Sequence, residues 1–383
     1  MQYSILRVAS PYNDYVQYLE QQHPEIKDMS YQDHYQRIVD NYFGCDGYYL
    51  NRELAAMGME THDIIYIDSL QQKWRPETAG LGMFEILLEQ VKTYKPDVLF
   101  VSNMFSTEQL RAMKEIVPKA KIVCFMFAAV NDRLKENCRY YDQLYTGSER
   151  YVKILSRYHG NVRYLQHAVC GEILDKIDTS HPRENKASFA GHFFLPYHGK
   201  RLLCAANFVK NGVPIDFAAD IMPSYRIRDL KSLVKYTLKP PHLTEYQKEL
   251  READRIVSPY LKPGVFGLEY YQFLRDHTVS LNVQADQDWE TGDSGSDRMY
   301  EATLVGSCLL TNQADENRNL YEPDREIMEF ESPEDCGERA RWLIDHPTEA
   351  AAIAEAGQKR TLRQYTYRNR AEMLNDYLQE LLR

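Results

Sequence analysis

An arginine and a glutamate stand three positions apart, Arg298 and Glu301, in DRMYEATLVGSCLLTN (residues 297–312). If this segment is helical the two share one face, where a cation and an anion can meet each other or grip one ligand. Gly306 then fits a helix C-cap and SCLLT a short buried strand. The stretch ahead of the pair, TGDSGSD, is rich in glycine and serine, and its amides can approach a phosphate closely because glycine puts no side chain in the way. In that setting Arg298 meets phosphate or fixes the glutamate, and Glu301 accepts hydrogen bonds from a ribose diol. The same pair also fits a surface ion pair, worth under ~1 kcal/mol.

A second group lies in SFAGHFFLPYHGKRLLCAANF, with Gly191 at a strand end, then a loop, then His198, Lys200 and Arg201 at the opening of a helix. Helix N-termini favour anions, and cationic side chains there would strengthen a diphosphate site; an exposed basic first turn is the plainer alternative. Asp286 and Asp288 in QADQDWE form a DxD, a pattern that can hold a divalent metal, but the spacing is common by chance, so a solvated loop and no metal are expected. Asp14, in SPYNDY after the first strand, could serve as a general base on an acceptor hydroxyl, or as a cap of the following helix. His34, Asp46, Trp74 and Asp132 are weaker candidates. No GxGxxG follows either half's first strand and no Walker GxxxxGK occurs, which removes the main support for dinucleotide and P-loop chemistry.

These groups need elements to hold them. Short β-rich runs alternate with longer amphipathic segments: ILRVA (5–9), IIYI (64–67), VLFV (98–101), IVCFMF (122–127), QLYTG (143–147) and VRYLQHAV (162–169), then SFAG (188–191), IDFAADI (215–221), RIVS (255–258), VSLNV (279–283), SCLLTN (307–312) and EIMEF (326–330). The segments between them, such as 35–58 and 83–94, read as helical, the latter with apolar residues at helical spacing. The alternation predicts an α/β protein with parallel sheets covered by helices. The polar stretch LDKIDTSHPRENKA (174–187) reads as a linker between two such units, and the end of the chain as two helices separated near Tyr365.

At 383 residues the chain exceeds the size at which one core keeps growing, so two domains are expected. A net charge of -10 argues against broad contact with nucleic acid, whose phosphates require a basic surface. The seven cysteines occur singly with no CxxC pair, which suits a reducing compartment and suggests neither a disulfide framework nor structural zinc. The N-terminus lacks the apolar core of a signal peptide, and the longest apolar run, IVCFMFAAV (122–130), is about half of a bilayer span. A cytoplasmic protein with no transmembrane segment is expected.

The stretch SDRMYEATLVGSCLLTNQADENRNLYEPDREIMEFESPEDCGERARWLIDHPTEAAAIAEAGQKRTLRQYTYRNRAEML resembles the C-terminal region of glycosyltransferases related to spore maturation protein CgeB, in the broad group 1 class. SYQDHYQRIVDNYFGCDGYYLNRELAAMGME, LQQKWRPE, KPDVLFV, SFAGHFFLPYHGKRLL and GLEYYQFLRDHTVSLNV look like the same family in matching order. The resemblance implies a GT-B architecture, two Rossmann-like domains facing across a cleft: an acceptor-side domain over 1–175, a nucleotide-sugar donor domain over 186–365, and a C-terminal helix, 366–383, packing back on the first. By the same resemblance Glu301 binds the ribose and Arg298 the diphosphate or sugar, while Gly191, His198 and Arg201 line the facing side of the donor site; Lys200 and Tyr300 complete the expected donor set. Asp293 lies eight residues before Glu301, where related enzymes carry a glutamate that contacts the donor sugar; the aspartate is shorter. Ser296 and Asp297 stand where the family commonly has Asn-Met.

The expectation is therefore a metal-independent glycosyltransferase without a cofactor, moving a sugar from a nucleoside diphosphate donor to an unidentified glycan, protein or small-molecule acceptor. Arg201, Lys200, Arg298 and helix N-termini would stabilise charge on the leaving diphosphate. Inversion would need a base such as Asp14; retention would not. A nucleotide-sugar epimerase on the same scaffold and a non-catalytic sugar-nucleotide or glycan binder are the alternatives.

Overall fold

Val98, Leu99, Phe100 and Val101 are all wholly buried, the pattern of a parallel strand covered on both faces. The computed structural model describes residues 2–11, 13–41, 46–102, 105–126, 132–195, 197–222, 244–292 and 296–383. The chain forms two units, one of Met1–Cys170, Phe266–Leu268 and Gln364–Arg383, the other of Gly171–Val265 and Glu269–Arg363.

In the first unit β1 (Ser4–Ala9), β2 (Glu60–Ile65), β3 (Val98–Ser102), β4 (Lys121–Met126), β5 (Gln143–Thr146) and β6 (Val162–Tyr164) form one sheet in the order β2-β1-β3-β4-β5-β6. Every pairing is parallel. Helices cover both faces, and the closing helix Tyr367–Leu381 places Ala371, Leu374 and Leu378 in a core with Tyr3, Ile5, Leu50 and Phe100.

The second unit holds β7 (Glu184–Phe194), β8 (Ile215–Met222), β9 (Leu261–Lys262), β10 (His277–Asn282), β11 (Cys308–Asn312) and β12 (Met328–Phe330), in the order β12-β11-β10-β7-β8-β9. These pairings too are all parallel. Counted from the unit's own first strand, this is the doubly wound order 3-2-1-4-5-6 of nucleotide-binding folds. The order reverses between β7 and β10, and the connections leave their carboxyl ends in opposite directions. That opens a crevice where such sheets hold ligands. The first unit reverses between β1 and β3.

Two expected elements differ. RIVS (255–258) is no strand but the end of the helix Glu245–Val257, where a capping box, the Thr244 hydroxyl on the Gln247 amide and the Gln247 side chain on the Thr244 amide, starts a turn that buries Leu250, Ala253 and Val257 at helical spacing. Only Val162–Tyr164 of VRYLQHAV joins the sheet, and β7 begins at Glu184, inside the stretch read as linker. Gly306 does end the helix Asp297–Leu304. At φ +70° it donates its amide to Thr303 O while Ser307 donates to Ala302 O, the paired bonds of a Schellman cap that turns the chain directly into β11.

Candidate donor-binding site

The carboxyl ends of β7 and β10 gather most of the singled-out residues. β7 delivers Gly191 and His192, the helix Gly199–Lys210 that follows carries Arg201, and β10 ends in Asn282 next to Val283. The helix Asp297–Leu304 brings Arg298 and Glu301 to the same place.

Two guanidinium groups share one aromatic ring, with Arg298 Cζ 5.2 Å and Arg201 Cζ 6.0 Å from the Phe189 centroid. Their bonding differs. Arg201 donates from Nε and Nη2 to Val283 O at 3.0 and 2.7 Å and from Nη1 to His192 O at 2.9 Å, tying the end of β7 to the end of β10. Arg298 makes one long hydrogen bond, Nη1 to Asn282 Oδ1 at 3.5 Å, and also meets the Tyr270 hydroxyl, while its buried Nε has no acceptor among the described residues. Among the described residues neither arginine lies within ion-pair distance of a carboxylate. Burial and then the adjacent Arg298 bring the Arg201 guanidinium down to about 9. Two cations held together so, one with its donors underused, make an electropositive pocket suited to a dianion.

Gly191 makes this arrangement possible. Its φ is +146°, and a Cβ there would stand 2.6 Å from Arg298 Nη2. Gly191→Ala is expected to push the guanidinium out of place, costing about 1–2 kcal/mol of stability from backbone strain and a larger share of anion affinity; urea unfolding beside nucleotide titration separates the two, and unchanged affinity would take Gly191 out of the site.

Glu301, half-buried, accepts from the hydroxyls of Tyr270 and Tyr271, at 2.7 Å on Oε2 and 3.3 Å on Oε1. Burial and the neighbouring Asp297 push its carboxyl up to about 7, against the lowering effect of Tyr270, Arg298 and Tyr271. The group is therefore an anion above neutrality and largely protonated below it.

Several expectations need correction. His198 adds no positive charge: burial, then Arg201, hold its imidazole down at about 3, and Nδ1 accepts from the Phe194 amide at 3.1 Å. Lys200 turns away from Arg201, because successive helix residues point about 100° apart. Its Nζ lies 5.2 Å over the Trp289 ring and 3.4 Å from Glu290 Oε1, beside a cavity of about 320 Å³ that Leu203, Tyr246, Glu249 and Pro333 also line. Asp286 is not in a solvated loop. It opens the helix Asp286–Thr291 and accepts from the Gly199 and Lys200 amides at 3.0 and 2.9 Å and from the Tyr246 hydroxyl at 3.3 Å, so the helix N-terminus expected to take the diphosphate already holds a carboxylate. Tyr300 is wholly buried with its ring 6.2 Å from that of Tyr321 and packs the core. Asp293 lies outside the described residues. Asp14 sits exposed in the first turn of the helix Asn13–Gln22, just after β1 at the first unit's own reversal point. His34 is a core histidine, with Lys73 Nζ 3.3 Å from Nδ1, and Trp74 carries Arg75 over its ring at 4.3 Å; Asp46 and Asp132 open helices, with side chains outside the described ones.

Three contributors escape sequence reasoning. Tyr270 and Tyr271 show only as a doublet on a helical face, and Asn282 only as a polar residue ending an apolar strand. Asn282 is buried and accepts from Ser296 Oγ at 3.1 Å as well as from Arg298.

A family model described as glycosyl transferase-like matches residues 234–376, the stretch that carries Tyr270, Tyr271, Asn282, Arg298 and Glu301. No curated protein matches the sequence. Among solved structures, a glycosyltransferase from Rickettsia africae superposes with a TM-score of 0.59 at 10% identity, over 100% of this chain and 99% of that one. HepE from Anabaena, solved with UDP and glucose, gives 0.57 at 11% identity over 99% of this chain and 100% of its own. Sucrose-phosphate synthase from Thermosynechococcus elongatus gives 0.55 at 11% over 100% and 99%. The fold is therefore the GT-B architecture of these structures, and the family match covers the stretch of the second unit that carries the site. Among the described residues no helix is long and apolar enough to cross a membrane.

Proposed function

We propose that this chain transfers a sugar from a nucleoside diphosphate sugar to an acceptor without a metal ion, and that the donor binds at the β7/β10 crevice of the second unit. The carrying observation is the pair of guanidiniums on Phe189, one of them with unused donors, beside a carboxylate held by two tyrosines. In this reading Arg298 meets the diphosphate directly, Arg201 adds its field while bracing the strands, and Glu301 accepts the ribose hydroxyls. Charge that develops on the leaving diphosphate meets cations already in place, which is how a preorganised site lowers a barrier. Asp286, the carboxylate that a DxD metal site would use, is committed to the Gly199 and Lys200 amides. The likeness to CgeB-related enzymes supports the same reading, and Asp14 is the carboxylate we assign as base if the reaction inverts. The six described cysteines are all buried, which fits the reading of a cytoplasmic protein.

The test is a panel of UDP-, ADP-, GDP- and TDP-sugars scored by thermal shift, then by release of the nucleoside diphosphate with and without acceptor alcohols. Stabilisation by one base class together with acceptor-dependent release supports transfer. Turnover of the donor alone to an epimer, or binding with no chemistry, favours one of the two alternatives.

A pH dependence follows. A sugar diphosphate keeps its charges between pH 5 and 9, so the titrating partner is Glu301, whose carboxyl is raised to about 7. Only the anion can accept from both ribose hydroxyls. Donor affinity should therefore be highest near pH 8, below the range in which Arg201 loses its proton, and fall as pH drops through 7, by about tenfold per pH unit at the acid end, and Glu301→Gln should flatten the curve at the low value. A wild-type affinity constant from pH 5.5 to 8.5 would contradict this.

A further inference from the structure

Glu301 does not stand in its pocket unaided. A carboxylate offers about four lone-pair positions. The Tyr270 hydroxyl occupies one on Oε2 at 2.7 Å and the Tyr271 hydroxyl one on Oε1 at 3.3 Å, so among the described residues one remains open on each oxygen, the number that two vicinal hydroxyls of a ribose require. The two tyrosines are adjacent on the helix Gly267–Asp276, with ring centroids 5.4 Å apart at 70°. They therefore reach the carboxylate from different directions and fix its plane. The Tyr270 hydroxyl also interacts with the Arg298 guanidinium, which links the orientation of the cation to that of the anion.

We propose that Tyr270 and Tyr271 are positioning residues of the donor site, whose hydroxyls hold the Glu301 carboxylate with one lone pair of each oxygen presented to the ribose diol and, through Tyr270, keep it in register with Arg298. This rests on the donor-site reading above and adds the groups that make the glutamate selective for a cis-diol. Without these hydroxyls the carboxyl holds its proton to higher pH and loses its acceptor on the ribose side. The charged and titratable groups that act most on the carboxyl are Asp297 and Arg298 from its own helix and Tyr270 and Tyr271 from the helix Gly267–Asp276. Asp297 favours the protonated acid; Arg298 and both hydroxyls favour the anion. Removing a hydroxyl thus weakens the anion, and in the case of Tyr270 also loosens Arg298.

The experiment follows the Glu301 side-chain carboxyl by carbon-13 NMR in the intact free protein, its signal assigned by its loss in Glu301→Gln, alongside calorimetry with UDP-glucose. Tyr270→Phe should move the Glu301 titration midpoint up by about one pH unit, as expected for loss of a hydrogen bond to a charged group, and Tyr271→Phe, which loses the longer bond, by less. UDP-glucose affinity in Tyr270→Phe should fall about fivefold at pH 7 and recover to within about twofold by pH 9. A midpoint that does not move overturns the role of the tyrosines, as does an affinity loss equal at both pH values, which would mark a packing effect. If Glu301→Gln binds UDP-glucose as tightly as the wild type while the midpoint still shifts in Tyr270→Phe, the ribose assignment fails and the bracing stands as a feature of the fold. The midpoint needs no ligand, so it decides the bracing whichever sugar nucleotide the protein uses.

Discussion

Arg298→Ala is expected to lower affinity for the sugar nucleotide by about a hundredfold or more while leaving the free protein as stable as the parent or slightly more so. Truncating one partner of a desolvated charged contact costs ~2–5 kcal/mol. In the free protein Arg298 loses only the Tyr270 hydroxyl and a weak contact to Asn282. Its contact to Asn282 is long at 3.5 Å and its Nε has no acceptor among the described residues. It also faces Arg201, a like charge. Arg298→Lys should recover only part of the affinity, because an ammonium lacks the planar fork that meets two phosphate oxygens at once. Thermal unfolding beside calorimetric titration checks both halves, and a variant that binds as tightly as the parent would remove Arg298 from the donor site.

Arg201→Ala should do the reverse, acting mainly on stability. Its donors serve Val283 O and His192 O, so truncation strands two carbonyls where β7 and β10 end. An orphaned buried acceptor costs ~1–3 kcal/mol, so the total is about 3 kcal/mol, and the melting temperature should fall by roughly 6–12 °C for a unit of this size. Donor affinity should fall as well, because the crevice loses its shape along with one charge. An unchanged melting temperature would show that the carbonyls are satisfied in another way and that Arg201 is not the brace.

Arg201 and Arg298 also show how far the sequence can be read. Both were legible as cations near glycines in an α/β pattern, and the parallel sheets followed from runs such as VLFV, whose apolar residues leave no polar face. The division of labour between them was not legible, since it depends on which carbonyls lie within reach, and that is set by the β7/β10 pairing across some ninety residues of chain. The fate of Asp286 was hidden for the same reason: its spacing from Asp288 suggested a metal pattern or a loop, and only the tertiary fold brings the Gly199 and Lys200 amides to it. Lys200 and Arg201, neighbours in sequence, separate because a helix sends them to different faces. RIVS read as a strand because four residues carry no period, whereas Thr244 and Gln247 upstream had already fixed the helix. Tyr270 and Tyr271 gave a doublet and no more, because the residue they serve lies some thirty positions away.

The most direct test of the central claim is a crystal structure of the protein with the nucleoside diphosphate sugar that stabilises it most in the thermal panel. The account predicts the diphosphate against the Arg298 guanidinium at the ends of β7 and β10, the ribose hydroxyls on Glu301 between the Tyr270 and Tyr271 hydroxyls, and Asp286 still on the Gly199 and Lys200 amides. A nucleotide bound with its phosphates away from Arg298, or seated on the Gly199 helix in place of Asp286, would contradict it.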